Sequence, residues 1–193
     1  MQGMPRLAVI DDRIQGVPVQ GEILRLNQSI AIRIRQEWNM QNLGQPDSAW
    51  DWESFAALAA NYPREYVAIA LEAQNFVQGA MLFSLSAGSA LDAAERALHV
   101  DRLATAPWNR LGMMSPPTYG GIGQCLLQYV ILYSYRLGLR GRVNLSSLAA
   151  AEGFYRKHGF ERINFVDSEG LPIYEIAPPA ALAMLKKGRL RNG

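Results

Sequence analysis

Cysteine and histidine are scarce in this chain, and their scarcity excludes several kinds of site. The single cysteine, Cys125, cannot form an internal disulfide framework or a cysteine-based zinc cluster, and this usage is typical of the reducing cytosol. Only His99 and His158 could add imidazole ligands, and they are far apart in sequence. The composition therefore predicts no metal site.

Long hydrophobic runs and a strong net charge are also missing. The most apolar stretch, LLQYVILYSY, is roughly half as long as a membrane-spanning helix. The first residues, MQGMPRLAVIDDR, lack the basic start and the apolar stretch of a secretory signal. The formal net charge of +2 gives no reason to expect binding to a membrane or to nucleic acid. We therefore expect a cytoplasmic protein.

The sequence contains no repeats and no low-complexity linkers. Its content of 49% hydrophobic and 19% charged residues is ordinary for a folded domain. We expect a single domain over residues 1–193. Residues 184–193 form a basic tail, which we expect to be solvated and frayed rather than a nucleic-acid arm. Its cationic residues are Lys186, Lys187, Arg189 and Arg191.

The apolar pattern predicts helices and strands in a mixed order. Helical spacing predicts helices at 28–38 and 48–60, and a further apolar helix that ends near residue 137. Residues 65–73 and 76–87 are typical of strands, and the two-residue turn between them indicates an antiparallel hairpin. Further strand patterns lie at 7–26, 97–107, 141–148, 161–167 and 171–177, with a short helix at 150–159. A mixed sheet of the α/β or α+β class follows, with a right-handed crossover through the apolar helix.

Three glycines stand directly before that helix in TYGGIGQCLL, residues 118–127. Glycine permits positive φ and close approach, and a helix start presents unpaired N–H groups that suit a phosphate. A P-loop is excluded, because Gly123 is followed by Gln124 and Cys125 instead of lysine and a hydroxyl residue. The sequence does not match a dinucleotide-binding fingerprint, because Leu126 stands where the third glycine is needed and no acidic residue follows about twenty positions later. A pyrophosphate site and a turn that merely starts a buried helix both remain open.

The loop and its surroundings resemble the GNAT superfamily of N-acetyltransferases. Gly121, Ile122 and Gly123 match the glycine core of the family's first motif, and two leucines match the helix that follows. The stretch AAAEGFYRKHGF, residues 149–160, matches the second motif at Ala151, Tyr155, Lys157, Gly159 and Phe160. The resemblance covers about residues 66–176. It implies a GNAT-like mixed, mostly antiparallel sheet flanked by helices, with a βαβ core that binds acetyl-CoA.

The resemblance also implies an activity and a set of site residues. The activity is transfer of acetyl from acetyl-CoA, without a metal, directly to an amine of a small molecule or peptide, and a homodimer is compatible with the family. Tyr155 would give a proton or hydrogen bond to the departing sulfur, and Asp101 or, second, Glu72 would be the general base. The implied cofactor-binding residues are Leu103, Ala104, Thr105, Thr118, Tyr119, Gly120, Gly121, Ile122, Gly123 and Gln124.

The sequence departs from the family pattern in three places. Thr118 stands where the family usually has Gln or Arg, Leu148 stands where many members have Asn, and residues 110–119 form an unusually long link. The first two differences are compatible with a CoA-binding regulatory module that has lost turnover, whereas the long link either shapes the acceptor pocket or is a surface loop without function. Trp38, Trp50 and Trp52 are expected to pack the first two helices on the sheet, with an aromatic acceptor wall as the alternative.

Overall fold

The computed structural model describes residues 4–39, 44–113 and 115–191. Five helices lie in these ranges: α1 (Gln28–Trp38), α2 (Trp52–Asn61), α3 (Ile122–Arg136), α4 (Glu152–Lys157) and α5 (Pro178–Leu185). The strands are β1 (Leu7–Asp12), β2 (Val17–Arg25), β3 (Tyr66–Ala73), β4 (Phe76–Gly88), β5 (Arg96–Thr105), β6 (Tyr119–Gly120), β7 (Val143–Ser146), β8 (Glu161–Val166), β9 (Pro172–Ile176) and β10 (Leu190–Arg191).

The described strands form one sheet in the order β10-β1-β2-β3-β4-β5-β7-β9-β8, and β6 pairs with β1. Its pairs are antiparallel except β5 with β7, which run parallel. The parallel pair is joined through α3, which is the predicted crossover. A mixed, mostly antiparallel sheet flanked by helices confirms the predicted fold class.

The hairpin between β3 and β4 follows from its two turn residues. Gln74 and Asn75 have φ of 53° and 65°, as the primed turns of two-residue hairpins require. The helix α1 has the predicted bounds, and the Asn27 side chain caps it by accepting from the Ile30 N–H. The second helix begins later than the predicted residue 48, because Asp51 is its cap and accepts from the N–H groups of Glu53 and Ser54.

The helix α3 is buried on nearly all sides, which explains why its sequence is mostly apolar. One side packs on the sheet, where Leu126, Leu127 and Val130 are fully buried. The other side is covered by the C-terminal segment, and the buried Gln128 amide donates to the Met184 carbonyl oxygen at 2.8 Å. Gly138, with φ of 76°, follows the helix end.

The C-terminal segment is more ordered than a frayed tail, so that part of the prediction is wrong. Leu190 and Arg191 pair with Ala8 and Leu7 of β1. Arg189 donates to the Val9 carbonyl oxygen at 3.1 Å and to the Asp11 carboxylate at 2.7 Å. Lys186 and Lys187 are exposed, as expected, and residues 192–193 lie outside the described ranges.

The strands β5 and β7 pair over only a few residues. Leu98, His99 and Val100 are opposite Val143, Asn144 and Leu145, and no pairing follows beyond these positions in the part of the chain described. At the same level β5 contains a bulge, because Arg102 is opposite Leu82 whereas Val100 is opposite Phe83. The strand edge after Val100 therefore faces a gap in the sheet, with α3 beginning nearby.

Helices long and apolar enough to cross a membrane are not found among the residues described.

Candidate active site

A cavity of about 420 Å³ opens where β5 and β7 separate. Three segments that are distant in sequence line it: the end of β5, the glycine loop, and the region from Leu148 to α4. Of the residues predicted to bind the cofactor, the cavity lining includes Leu103, Ala104, Thr105, Tyr119, Gly120, Gly121, Ile122 and Gly123. Tyr155 and Leu148 line the same cavity. The structure thus brings the two motif regions of the sequence together around one space.

The glycine loop starts α3 without a capping side chain. Gly121 has φ of 82° at the N-cap position, and no side chain within the described ranges caps the helix. The first intrahelical bond runs from the Cys125 N–H to the Gly121 carbonyl oxygen. The amides of Ile122, Gly123 and Gln124 precede that bond and therefore have no partner in the preceding helical turn. An uncapped helix start beside a cavity is a good site for an anion.

Protein side chains occupy the space that the three glycines leave. A Cβ atom built on Gly120 would lie 2.5 Å from Arg13 Nε, and one on Gly121 would lie 2.6 Å from the Arg189 guanidinium carbon. A Cβ on Gly123 would lie 2.8 Å from the Phe154 ring. Two guanidinium groups and a ring thus lie against the three glycines, which also line the cavity. Their predicted role in ligand binding stays a prediction.

Two predicted cofactor-binding residues do not line the cavity. The Thr118 backbone is held between Trp108 and Arg13, because its N–H donates to the Trp108 carbonyl and its own carbonyl accepts from the Arg13 N–H. The Gln124 side-chain oxygen accepts from Arg189 Nε at 3.1 Å. The Gln124 side chain is thus bound to Arg189 and does not line the cavity.

The long link at 110–119 forms one wall of the cavity through Arg110, Leu111 and Met113. Arg110 makes a two-point ion pair with Asp47, at 2.9 and 2.7 Å, and its Nε donates to the Thr105 carbonyl oxygen at 2.8 Å. The link is therefore tied both to the segment before α2 and to the end of β5. Residue 114 lies outside the described ranges.

Tyr155 is the best placed of the predicted catalytic residues. Its ring is buried against Phe154, Phe160 and Tyr174, with ring centroids 5.3, 5.8 and 6.3 Å away. Burial raises the pKa of its phenol well above the ordinary value, so the hydroxyl stays protonated at neutral pH. A protonated phenol at the wall of the cavity is able to donate a hydrogen bond into it.

Asp101 is the extra residue of the β5 bulge and does not line the cavity. Burial raises the pKa of its carboxyl, opposed by the charges of His99 and Arg102 and by a hydrogen bond from Ser84. One carboxyl oxygen, Oδ2, is buried without a hydrogen-bond partner among the residues described. Asp101 is therefore a carboxyl group with a raised pKa, two positions along β5 from Leu103, the nearest lining residue of that strand.

Glu72, the second predicted base, is separate from the cavity. It forms an ion pair with Arg33 of α1, which also pairs with Glu37 at 2.9 Å. This arrangement ties α1 to β3. The structure brings Tyr155 together with eight of the ten predicted cofactor-binding residues, but not with Glu72.

The tryptophans form an aromatic cluster on the other face of the sheet. Trp52 makes edge contacts with Trp38, Trp50 and Phe55, at 6.2, 6.2 and 5.5 Å between ring centroids. The Arg102 guanidinium lies 5.3 Å from the Trp50 ring centroid. Trp38 and Trp52 are buried, as expected for packing, whereas Trp50 also lines the cavity.

The surroundings of Cys125 and His99 indicate structural roles for both residues. Cys125 is fully buried, and burial raises the pKa of its thiol to about 12, so the thiol is not ionised at neutral pH. His99 Nδ1 lies 2.8 Å from Asn144 Oδ1, where β5 and β7 still pair.

No protein-family model and no curated protein matches this sequence. Solved structures, in contrast, share its fold. A protein of the GNAT acetyltransferase family from Desulfovibrio desulfuricans superposes with a TM-score of 0.61 at 15% identity, covering 82% of this chain and 99% of its own. The PaiA N-acetyltransferase from Thermoplasma acidophilum, solved with coenzyme A, has a TM-score of 0.56 at 15% identity, covering 81% and 98%.

RimJ from Mycobacterium smegmatis, solved with CoA-disulfide, covers 98% of this chain and 96% of its own, with a TM-score of 0.60 and 15% identity. At such identities the likeness defines the fold. The chain has the fold of the GNAT acetyltransferases, and the predicted resemblance is confirmed at that level.

Proposed function

We propose that this protein is an acyltransferase that uses acetyl-CoA to acetylate an amine directly, without a covalent enzyme intermediate. The observation that carries the proposal is one cavity that joins three features: the uncapped start of α3, the unpaired edge of β5 beyond Val100, and the Tyr155 phenol. The fold supports it, since similar structures include N-acetyltransferases, some solved with coenzyme A.

The residues present fit acetyl-CoA by charge and by shape. The amides of Ile122, Gly123 and Gln124 would hold the diphosphate at the positive end of α3. Main-chain groups at Leu103 and Ala104 would pair with the extended pantetheine arm as a strand does, while the Thr105 carbonyl already accepts from Arg110. When bound, acetyl-CoA supplies an activated thioester.

The residues of the chain then have separate tasks at the thioester end. Tyr155 donates its phenolic proton or a hydrogen bond to the departing sulfur, because burial keeps that phenol protonated. Asp101 accepts a proton from the acceptor amine through a water molecule, because its carboxyl does not reach the cavity directly. Trp50 and the 110–119 link form the wall against which the acceptor lies.

The test is release of free thiol from acetyl-CoA by the purified chain in the presence of a panel of amines. We expect thiol release that depends on the amine, together with an increase of 42 Da in the mass of the acetylated product. Coenzyme A binding without thiol release for any amine would contradict the enzymatic function.

A CoA-binding regulatory module is the second candidate, and one observation favours it. The carboxylates predicted as bases, Asp101 and Glu72, do not line the cavity, and the Asp47 carboxylate that does is neutralised by Arg110. Such a module would bind coenzyme A as tightly as an enzyme does and would release no thiol.

A further inference from the structure

Arginine side chains surround the glycine loop, and they differ in how their charge is balanced. Arg189 lies against Gly121 and is paired with Asp11 at 2.7 Å. Arg110 lines the cavity and is paired with Asp47 at 2.7 Å. Arg13 also lines the cavity, and no carboxylate of the described ranges lies within salt-bridge distance of it.

The backbone fixes Arg13 beside the loop. The buried Asp12 carboxylate accepts from the N–H groups of Ile14 and Gln15, which closes the turn after β1. The Arg13 N–H donates to the Thr118 carbonyl oxygen at 2.9 Å, next to the pairing of β1 with β6. These contacts place the guanidinium over Gly120, where a Cβ atom would lie 2.5 Å from Nε.

The described lining of the cavity therefore carries a net positive charge that no carboxylate of the described residues neutralises. Its charged lining residues are Arg13, Asp47 and Arg110, and the last two neutralise each other. The remaining charge belongs to Arg13 and lies at the end of the cavity where α3 begins. A guanidinium and a helix start that share one end of a cavity are complementary to a phosphate or diphosphate.

We propose that Arg13 binds the diphosphate of coenzyme A and supplies the side-chain charge that Thr118 does not provide in this chain. The proposal rests on the proposed function and adds a binding residue from the turn between β1 and β2, outside both sequence motifs. Arg13 contacts the diphosphate from the Gly120 side, while the α3 amides contact it from the helix axis.

The test uses calorimetric titration of the full chain with coenzyme A, dephospho-coenzyme A and pantetheine. Dephospho-coenzyme A keeps the diphosphate and lacks the 3′-phosphate, and pantetheine lacks every phosphate. We expect Arg13→Gln to weaken binding of the first two ligands by at least about tenfold and equally, because a charge-assisted contact is lost. Pantetheine should bind the variant and the unmodified chain alike.

Arg136→Gln is the matched control, because Arg136 is an exposed arginine at the opposite end of α3. It should leave all three affinities within about twofold. Equal affinities of Arg13→Gln and the unmodified chain for coenzyme A would overturn the assignment of Arg13 alone. A loss of affinity for coenzyme A alone would also overturn the assignment, since that result places the contact at the 3′-phosphate. No binding of coenzyme A by the unmodified chain would overturn the proposed function and this assignment together.

A double-mutant cycle with Gly120→Ala tests the geometry. The added methyl group would displace the Arg13 guanidinium, whose flexible end can move. We expect Gly120→Ala to weaken coenzyme A binding in the unmodified chain and to add nothing in the Arg13→Gln background. Additive losses would contradict the proposal.

Discussion

The two faces of the sheet are packed differently, although each has an apolar core. On the α3 face, large apolar side chains are fully buried between the sheet, α3 and α5. On the α1–α2 face, small alanines and an aromatic cluster are joined by ion pairs such as Arg35 with Glu53 and Arg110 with Asp47. The first face is held mainly by apolar burial. The second adds ring contacts and ion pairs to its apolar core.

The largest effect is expected on catalysis. A substitution at Tyr155 tests whether a residue on the α3 face supplies the proton donor. Tyr155→Phe should lower kcat by about 10²-fold or more with little change in coenzyme A affinity, since a proton or hydrogen bond to the leaving sulfur is lost. The measurement is steady-state thiol release together with calorimetry.

Tyr129→Phe is the control for that substitution. Tyr129 is a fully buried tyrosine whose hydroxyl has no partner among the residues described, and burial raises the pKa of its phenol to about 12. Its removal should leave kcat unchanged and should not lower stability. A similar loss of kcat in both variants would show that Tyr155 acts through packing.

Core truncation compares a fully buried position on the α3 face with a partly buried position on the α1–α2 face. Leu126→Ala removes a fully buried side chain of α3 and should lower the free energy of unfolding by about 2–5 kcal/mol. Leu58→Ala, at a partly buried position of α2, should lower the free energy of unfolding by a smaller amount. Chemical denaturation of both variants checks the order, and a larger loss for Leu58→Ala would contradict the comparison.

Asp101, at the β5 bulge, offers a pH-dependent test of stability. Burial raises the pKa of its carboxyl in the folded state above the value in the unfolded chain. As the pH rises between these two pKa values, the unfolded chain ionises more readily and the free energy of unfolding falls. Asp101→Asn should therefore raise Tm at pH 7–8, by about 2–4 °C for each kcal/mol. The difference should vanish below the ordinary pKa of aspartate, about 3.9, where both side chains are neutral.

Thermal unfolding of this variant over a pH series is the measurement. A lower Tm for Asp101→Asn at neutral pH would show that the carboxylate is stabilised by Arg102 and His99 more than burial penalises it. Thiol release should fall in the same variant if Asp101 is the base.

The smallest effect is expected at the surface ion pairs of the α1–α2 face. Arg35 Nε lies 3.2 Å from Glu53 Oε1, and the Arg35 side chain is 62% exposed. Arg35→Gln should lower the free energy of unfolding by less than about 1 kcal/mol, and 1 M salt should remove the difference. A loss of several kcal/mol would mean that this pair does more than join two helices.

Local patterns predicted the elements whose partners are near in sequence. The 74–75 hairpin and the bounds of α1 follow from a two-residue turn and from helical spacing. The C-terminal strand could not be predicted in this way, because its partner β1 is at the opposite end of the chain. Single polar residues whose partners are distant in the chain cannot be recognised from the pattern of one sequence either.

The same limit applies to the site. The glycines and Tyr155 belong to compact motifs, so their placement on one cavity could be predicted. Arg13 and Arg189 reach the loop from the two ends of the chain, and no spacing in the sequence links them to it. The position of Asp101 outside the lining depends on the β5 bulge, which the strand pattern did not reveal.

The central claim is that the start of α3 binds the diphosphate of coenzyme A, and amide chemical shifts report on it most directly. Titration of the ¹⁵N-labelled chain with coenzyme A should produce its largest shifts at Ile122, Gly123 and Gln124, and pantetheine should leave these amides nearly unchanged. Shifts located elsewhere, with the α3 amides unmoved by saturating coenzyme A, would contradict the claim.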